Sequence, residues 1–282
     1  RILLTFPGPI GQYYCNYDTP PLDESQMKPL VLLPTTAGTG SETSPGAVIT
    51  DSNTNVKNIV NVSVSLGIVD PALTLGLGPE ITANTGMDAL AHLIESLTSN
   101  LPNPFCEILG KDAISLIAKN LPVACRDGSN LQAREALSLA ATIATICVRG
   151  GFIHIPHGFG ENMVSVWDIP HGITVANYLP ETMRFLAPVI PDRVGIVAKS
   201  LGGNIPEDAT PEEIGDICAG KLIELIDEID IPPFSNYIND KNDMVKHLDA
   251  IIGDGELLGY SPRPVDREAA KAFVLRAYDS RN

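Results

Sequence analysis

Basic residues are scarce in this chain of 282 residues: 19 lysines and arginines stand against 34 aspartates and glutamates, a formal net charge of 19 − 34 = −15. Such a deficit argues against a DNA or RNA partner, because that binding relies on Lys and Arg neutralising phosphates, and against docking on anionic lipid. No segment approaches the ~20 apolar residues that span a bilayer. The longest near-continuous apolar stretch, residues 137–148, is broken by Thr142 and Thr145 and is expected to form a buried or interface helix. Residues 2–6 are too short an apolar core for a signal peptide. Cysteine is sparse too: Cys15, Cys106, Cys125, Cys147 and Cys218 are an odd number, widely scattered, with no CxxC pair. That leaves no disulfide framework or thiolate zinc site, and it points to packing thiols in a reducing compartment, hence to a cytoplasmic protein. Neither a GxGxxG nor a Walker motif is present. With 44% hydrophobic and 19% charged residues the composition is that of an ordinary globular protein. Small-molecule chemistry is what these absences leave.

Along the chain two regimes follow each other, without a solenoid repeat or low-complexity linker. Residues 1–76 read as strands and loops. Short β-branched runs lie at 30–33, ended by Pro34, at 47–50, closed by Asp51-Ser52-Asn53, and at Ile68-Val69 before Asp70-Pro71. Proline and glycine cluster at Pro7, Gly8, Pro9 and Gly11 and again at Pro20 and Pro21, marking a loop-rich opening. Residues 77–282 read as helical. Asn103-Pro104 caps a helix carrying Phe105, Ile108, Leu109, Ala113, Leu116 and Ile117 at three- and four-residue steps, with Pro122 expected to stop it. Thr210-Pro211-Glu212-Glu213 is a capping box opening another, and residues 267–278 read as a terminal helix. The fold expected is the remainder of an α/β dinucleotide-binding unit followed by an all-helical domain.

Three features could carry chemistry. Asp88 and His92 are an i,i+4 pair, close enough on one helix face to share a metal ion. Thr85-Gly86-Met87-Asp88 equally fits a capping box, with Asp88 serving a helix N-terminus and His92 having no ligand role. Ile-Pro-His-Gly occurs twice, at 155–158 and 169–172, and four of the five histidines lie between 92 and 171. Proline before and glycine after each histidine give rigid, uncrowded ligands; alternatively both tetrapeptides are turns that start helices, with exposed histidines. As a set, Asp88, His92, His157 and His171 are a mixed O/N shell suited to Fe(II) or Zn(II) rather than calcium. Thr35-Thr36-Ala37-Gly38-Thr39-Gly40-Ser41-Glu42, directly after a strand, could bring backbone N–H groups to a phosphate or be a plain flexible turn.

Together, Pro34 and the eight residues after it, Ile68-Val69-Asp70-Pro71, the run from Thr85 to His92, Pro170-His171-Gly172 and Ser261-Pro262-Arg263-Pro264-Val265 resemble the iron-containing (group III) alcohol dehydrogenase family over essentially the whole chain. The resemblance implies a dinucleotide-binding α/β domain, here residues 1–76, and an all-helical metal-binding domain, here 77–282, with the metal between them. It implies metal ligands at Asp88, His92, His157 and His171; His157 is preferred to His154 because the family separates its last two ligand histidines by fourteen positions. It implies cofactor contacts at Thr35, Thr36, Gly38 and Thr39, with Val48 and Lys57 lining the same site. The implied activity is that of an alcohol dehydrogenase or aldehyde reductase passing a hydride between a small alcohol and NAD or NADP, the metal acting as a Lewis acid on the alcohol oxygen. Homo-oligomers are expected. A metallohydrolase using a metal-bound water, or a catalytically silent or truncated family member, are the alternatives. His154 and His247 are expected to be surface or structural.

Two departures from the family pattern stand out. Many members carry a second histidine four residues after the third ligand, where this chain has Glu161; a glutamate there can relay a proton or pair with a cation. The family's GGGS nucleotide loop lies upstream of the position of Arg1, and the chain opens without a methionine, so the natural protein is expected to start earlier. NAD and NADP are not distinguished without that part.

Overall fold

A computed structural model describes residues 1–15, 22–53, 56–101, 103–253 and 255–281; the loop expected around Pro20 and Pro21 lies outside the described residues. The first part has two small sheets. β1 (Val31–Leu32) runs parallel to β4 (Leu66–Gly67), and β2 (Gly46–Asp51) pairs antiparallel with β3 (Val56–Asn61) from Gly46↔Asn61 to Asp51↔Val56. Ile2, Met27 and Val60 form a small core there. The expected strands at 30–33 and 47–50 are present. The third ladder sits at Leu66–Gly67 rather than at Ile68-Val69, although the Ile68 N–H still bonds the Leu32 carbonyl at 2.9 Å. β3 was not expected, because Lys57, Asn58 and Asn61 break its apolar pattern.

The second part is a helix bundle. α1 (Pro79–Thr98) is its axis: proline at the start supplies a preset φ, and fourteen of its residues are buried, so it is covered on nearly every side. It packs against α2 (Lys111–Arg126), α3 (Leu131–Gly151) and α5 (His171–Leu186), with α4 (Ile155–Trp167) closing one end. α6 (Pro191–Ser200), α7 (Pro211–Glu228), α8 (Lys241–Lys246), α9 (Leu248–Ile252) and α10 (Arg267–Asp279) complete the bundle. The capping box of α7 forms as expected: the Glu213 N–H donates to the Thr210 hydroxyl, and the Thr210 N–H donates to the Glu213 carboxylate. Asn130 caps α3 by accepting from the Ala133 N–H at 3.0 Å. α3, which contains the apolar stretch 137–148, is long and apolar enough to cross a membrane, yet half of its most apolar window is buried in the bundle.

Pro122 does not end its helix. α2 continues to Arg126, because Ile114, Ile117, Leu121 and Ala124 stay fully buried across the proline and outweigh one lost i→i−4 bond. Nor does Thr85 start a helix: Thr85 and Asp88 stand in the middle of α1, so the capping-box reading fails.

Helix spacing around the bundle axis is tightest where α5 begins. A Cβ at Gly172 would collide with the carbonyl of Asn84 on α1, a backbone group that cannot rotate away. Gly172→Ala is therefore expected to cost about 2 kcal/mol by overpacking, lowering the thermal midpoint by roughly 4–8 °C. Gly220→Ala on α7, where a Cβ meets nothing within 4 Å, should be neutral or stabilising by up to about 1 kcal/mol. Thermal unfolding of the two variants side by side checks this; equal midpoints would refute the close-approach argument.

Candidate metal centre and cofactor cleft

Asp88 and His92 project from one face of α1, a turn apart. His157 stands in the first turn of α4, and His171 is the first residue of α5. Both Ile-Pro-His-Gly segments do start helices, but their histidines are not simply exposed: His157 is 2% exposed, and the side chain of His171 is 27% exposed. Ligand atoms of Asp88, His92 and His157 lie within 4.8 Å of one another. The Asp88 Oδ1 is 3.3 Å from His157 Nε2, 3.5 Å from His171 Nε2 and 3.8 Å from His92 Nδ1. One carboxylate oxygen thus faces three imidazoles. The His92 and His157 rings stack with centroids 4.4 Å apart.

Glu95 was not expected in the site, and it organises it. Fully buried on α1, it stands seven residues after Asp88 and three after His92, on the same stripe of the helix. That spacing was the available signal, and a glutamate on a helix is too common to read alone. Its Oε1 accepts the backbone N–H groups of His154 at 2.8 Å and His157 at 3.2 Å, and its Oε2 bonds His157 Nδ1. Glu95 therefore caps α4 and orients its histidine at the same time. His154, expected to be surface or structural, is structural: buried, its Nδ1 accepts the Ile155 N–H and its Nε2 lies 3.0 Å from the Thr98 hydroxyl. His247 is exposed.

Burial and charge pull the protonation states apart. Burial pushes His92 down to about 4, only partly offset by Asp88, and burial likewise takes His154 to about 4. Burial pushes His157 down as well, but the Glu95 and Asp88 carboxylates outweigh it and raise it to about 10. For Asp88, burial pushes the carboxyl up, but His92, His157 and His171 hold it well below the usual carboxylate range. Glu95 is also lowered, burial being overcome by His157. The Nδ1 atoms of His92 and His171 are buried with no hydrogen-bond partner among the described residues. One carboxylate and three imidazoles, with the orphaned His92 Nδ1 among the atoms that face Asp88, are a donor set that fits Fe(II) or Zn(II).

A cleft of about 200 Å³ opens along the first turns of α4. Val48 and Lys57 of the β2–β3 hairpin line it together with Gly158, the neighbour of His157, and Glu161, one turn further along α4. Glu161 is half-buried and makes no ion pair or hydrogen bond among the described residues. Of the loop residues singled out for a cofactor, Thr35 and Thr39 are exposed, Thr36 is half-buried, and Gly38 is buried against α1. The four loop residues lie apart from the lining of this cleft.

The Glu95–His157 pair gives the metal-free protein a signed pH dependence. Glu95 is lowered from its ordinary 4.5, so its contribution is present above that value and is lost as pH falls through the folded-state value. His157 is raised from 6.5 to about 10, so its contribution is full below 6.5 and is lost as pH rises towards 10. Both act together between about 4.5 and 6.5. Below 6.5 the lowered His92 and His154 act in the opposite sense, so thermal midpoints measured in chelator are expected to fall with rising pH only from 6.5 towards 10, and Glu95→Gln should flatten that fall. Parallel curves for the two proteins would refute the pairing.

Comparison with known proteins agrees with this geometry. The model of the Fe-containing alcohol dehydrogenase family, C-terminal, matches residues 82–278, and that of iron-containing alcohol dehydrogenase matches residues 3–71. A 1,3-propanediol dehydrogenase of Klebsiella pneumoniae is 31% identical over 257 residues, which are 89% of this chain and 66% of the relative. The crystal structure of a 1,3-propanediol oxidoreductase superposes with a TM-score of 0.88 at 30% identity, covering 98% of this chain and 72% of that one. The sulfoacetaldehyde reductase of Bifidobacterium kashiwanohense, solved in complex with NAD+, gives 0.86 at 25% identity, covering 99% and 71%. The chain thus spans just under two thirds of the length of the curated propanediol dehydrogenases it matches. A dinucleotide-binding α/β part followed by a helical part is the fold of these structures, and by sequence and architecture the chain belongs to the iron-containing alcohol dehydrogenase family.

Proposed function

We propose that the protein is a metal-dependent alcohol dehydrogenase or aldehyde reductase acting on small alcohols or aldehydes with NAD or NADP. The observation that carries this reading is the Asp88 carboxylate facing three imidazoles; the cleft that Val48 and Lys57 line reaches Gly158, the residue after His157. Asp88, His92, His157 and His171 would hold Fe(II), with Zn(II) as a structural substitute. Thr35, Thr36, Gly38, Thr39, Val48 and Lys57 would contact the dinucleotide, so that residues 1–76 serve the cofactor and residues 77–282 the metal. Once bound, the cation would supply Lewis acidity towards the alcohol oxygen and the nicotinamide would serve as hydride acceptor or donor.

The chain's own residues do the rest. Glu95 holds the His157 ring and its tautomer. Val48, Ile59, Ile153, Ile252 and Leu257 give the cleft apolar walls, and its small volume suits a short carbon chain. Glu161, without a partner among the described residues and one turn from His157, would be the carboxylate that takes up the alcohol proton. Hydrolysis at such a centre would have no use for the glycine-rich loop. A cytoplasmic homo-oligomer is the setting this reading carries with it, supported by the free cysteines and by the exposed Leu131, Leu139 and Ile146 on α3.

The reading is tested by loading the protein with ferrous or zinc ions and following reduced-nicotinamide absorbance over a panel of short alcohols and aldehydes. Turnover is expected with at least one, and none from the metal-loaded protein would overturn the proposal. Asp88→Asn is expected to lower metal content and activity together, by on the order of 10–100-fold or more in affinity. Glu161→Gln should slow turnover at least tenfold with metal content unchanged.

A further inference from the structure

The glycine-rich loop is fastened to the helix bundle, not merely left at the end of β1. Ala37 is buried within the bundle's own core. Gly38 lies against Thr85 of α1, where a Cβ would press on the Thr85 side chain and backbone. Gly40 adopts a left-handed φ of 57° and gives up its Cβ space to the Thr145 hydroxyl and the Ala141 carbonyl of α3. Two hydroxyls of α3 close the attachment. Thr145 Oγ1 donates to the Thr39 carbonyl at 2.5 Å, and Thr142 Oγ1 donates to the Glu42 carboxylate at 2.7 Å, with Glu42 only 5% exposed. No other hydrogen bond reaches that carboxylate among the described residues. The Ser138 carbonyl, at 3.1 Å, competes for the Thr142 hydrogen, but the charged and nearer oxygen is the stronger acceptor.

The anchor on α1 stands three residues before Asp88, about 4.5 Å along the helix axis. Loop and metal cluster therefore share one rigid frame. Thr35 and Thr39 remain exposed on the loop so held. We propose that Thr142 and Thr145 are positioning residues: their hydroxyls hold the 35–42 loop, before any nucleotide arrives, in the conformation that receives a dinucleotide diphosphate at a set distance from Asp88. This rests on reading the loop as the cofactor site. Its consequence is distinct from packing. Threonine and valine fill the same volume, so what Thr145→Val removes is the hydrogen bond, and the cost of ordering the loop then falls on cofactor binding.

The test uses the full chain loaded with zinc, with NADH fluorescence titrations and steady-state kinetics. Thr145→Val is expected to raise the NADH Kd and the cofactor KM about 3–10-fold. The alcohol KM, the kcat at saturating cofactor and the thermal midpoint should stay near wild type, and Thr145→Ser should return the Kd to within about twofold. Thr142→Val is an independent arm expected to raise the NADH Kd by a similar factor; because it also leaves the buried Glu42 carboxylate without that donor, its midpoint should fall as well, and the double variant should bind NADH more weakly than either. If valine leaves the Kd unchanged while wild type binds NADH saturably, the latch falls and the loop reading stands. If wild type binds no NADH, both fall. A loss of midpoint and kcat with an unchanged cofactor KM would mark the threonines as structural only and overturn the proposal.

Discussion

Three ionisable side chains on one face of a nearly fully buried helix are the constraint around which this protein is organised. Asp88, His92 and Glu95 follow each other along α1 among Met87, Leu90, Ala91 and Ile94, in surroundings where an unpaired charge costs several kcal/mol. Each carboxylate must therefore find a partner from another element. Glu95 finds the N-terminus of α4 and the ring of His157; Asp88 finds the rings of His157 and His171. The starts of α4 and α5 are thereby drawn to α1, and Gly172 is the residue that lets α5 come close enough. What gathers the donors is the neutralisation of buried charge. What the gathered donors then offer is a cation site.

The same axis governs the cofactor side. The glycine loop meets α1 one turn before Asp88 and is held by threonines from α3. The β2–β3 hairpin supplies Val48 and Lys57 to a cleft whose opposite wall comes from the segment around Ile252 and Leu257. Glycines 38 and 40 are spent on helix contact, leaving the exposed threonines beside them as the loop's outward groups. A loop that reads as a phosphate cradle from its composition is, in three dimensions, first an inter-unit joint.

Much of this was legible in the residues. The change of period near residue 77 falls just before α1 begins at Pro79, the i,i+4 spacing put Asp88 and His92 on one face, and the doubled Ile-Pro-His-Gly drew attention to His157 and His171. Elements held by tertiary contact were not legible. β3 has no clean alternation, and only its pairing with β2 makes it a strand. Pro122 reads as a stop because local propensity cannot know that Leu121 and Ala124 are buried on either side of it. Glu95 is invisible for a related reason: its chemistry depends on a backbone terminus sixty residues downstream.

The helix-start reading of the repeated tetrapeptide holds, and it does not exclude the proposed metal-ligand reading. A helix N-terminus is where backbone N–H groups stand unsatisfied, and at α4 those donors recruit Glu95. Once there, its second oxygen lies against His157 Nδ1, which leaves Nε2 aimed at Asp88. The helix start therefore sets the histidine: capping decides where the carboxylate sits, the carboxylate decides which way the ring turns, and Nε2 faces Asp88 in the cluster proposed as a metal site. A histidine placed mid-helix could reach the same spot, but no capping carboxylate would be there to orient it.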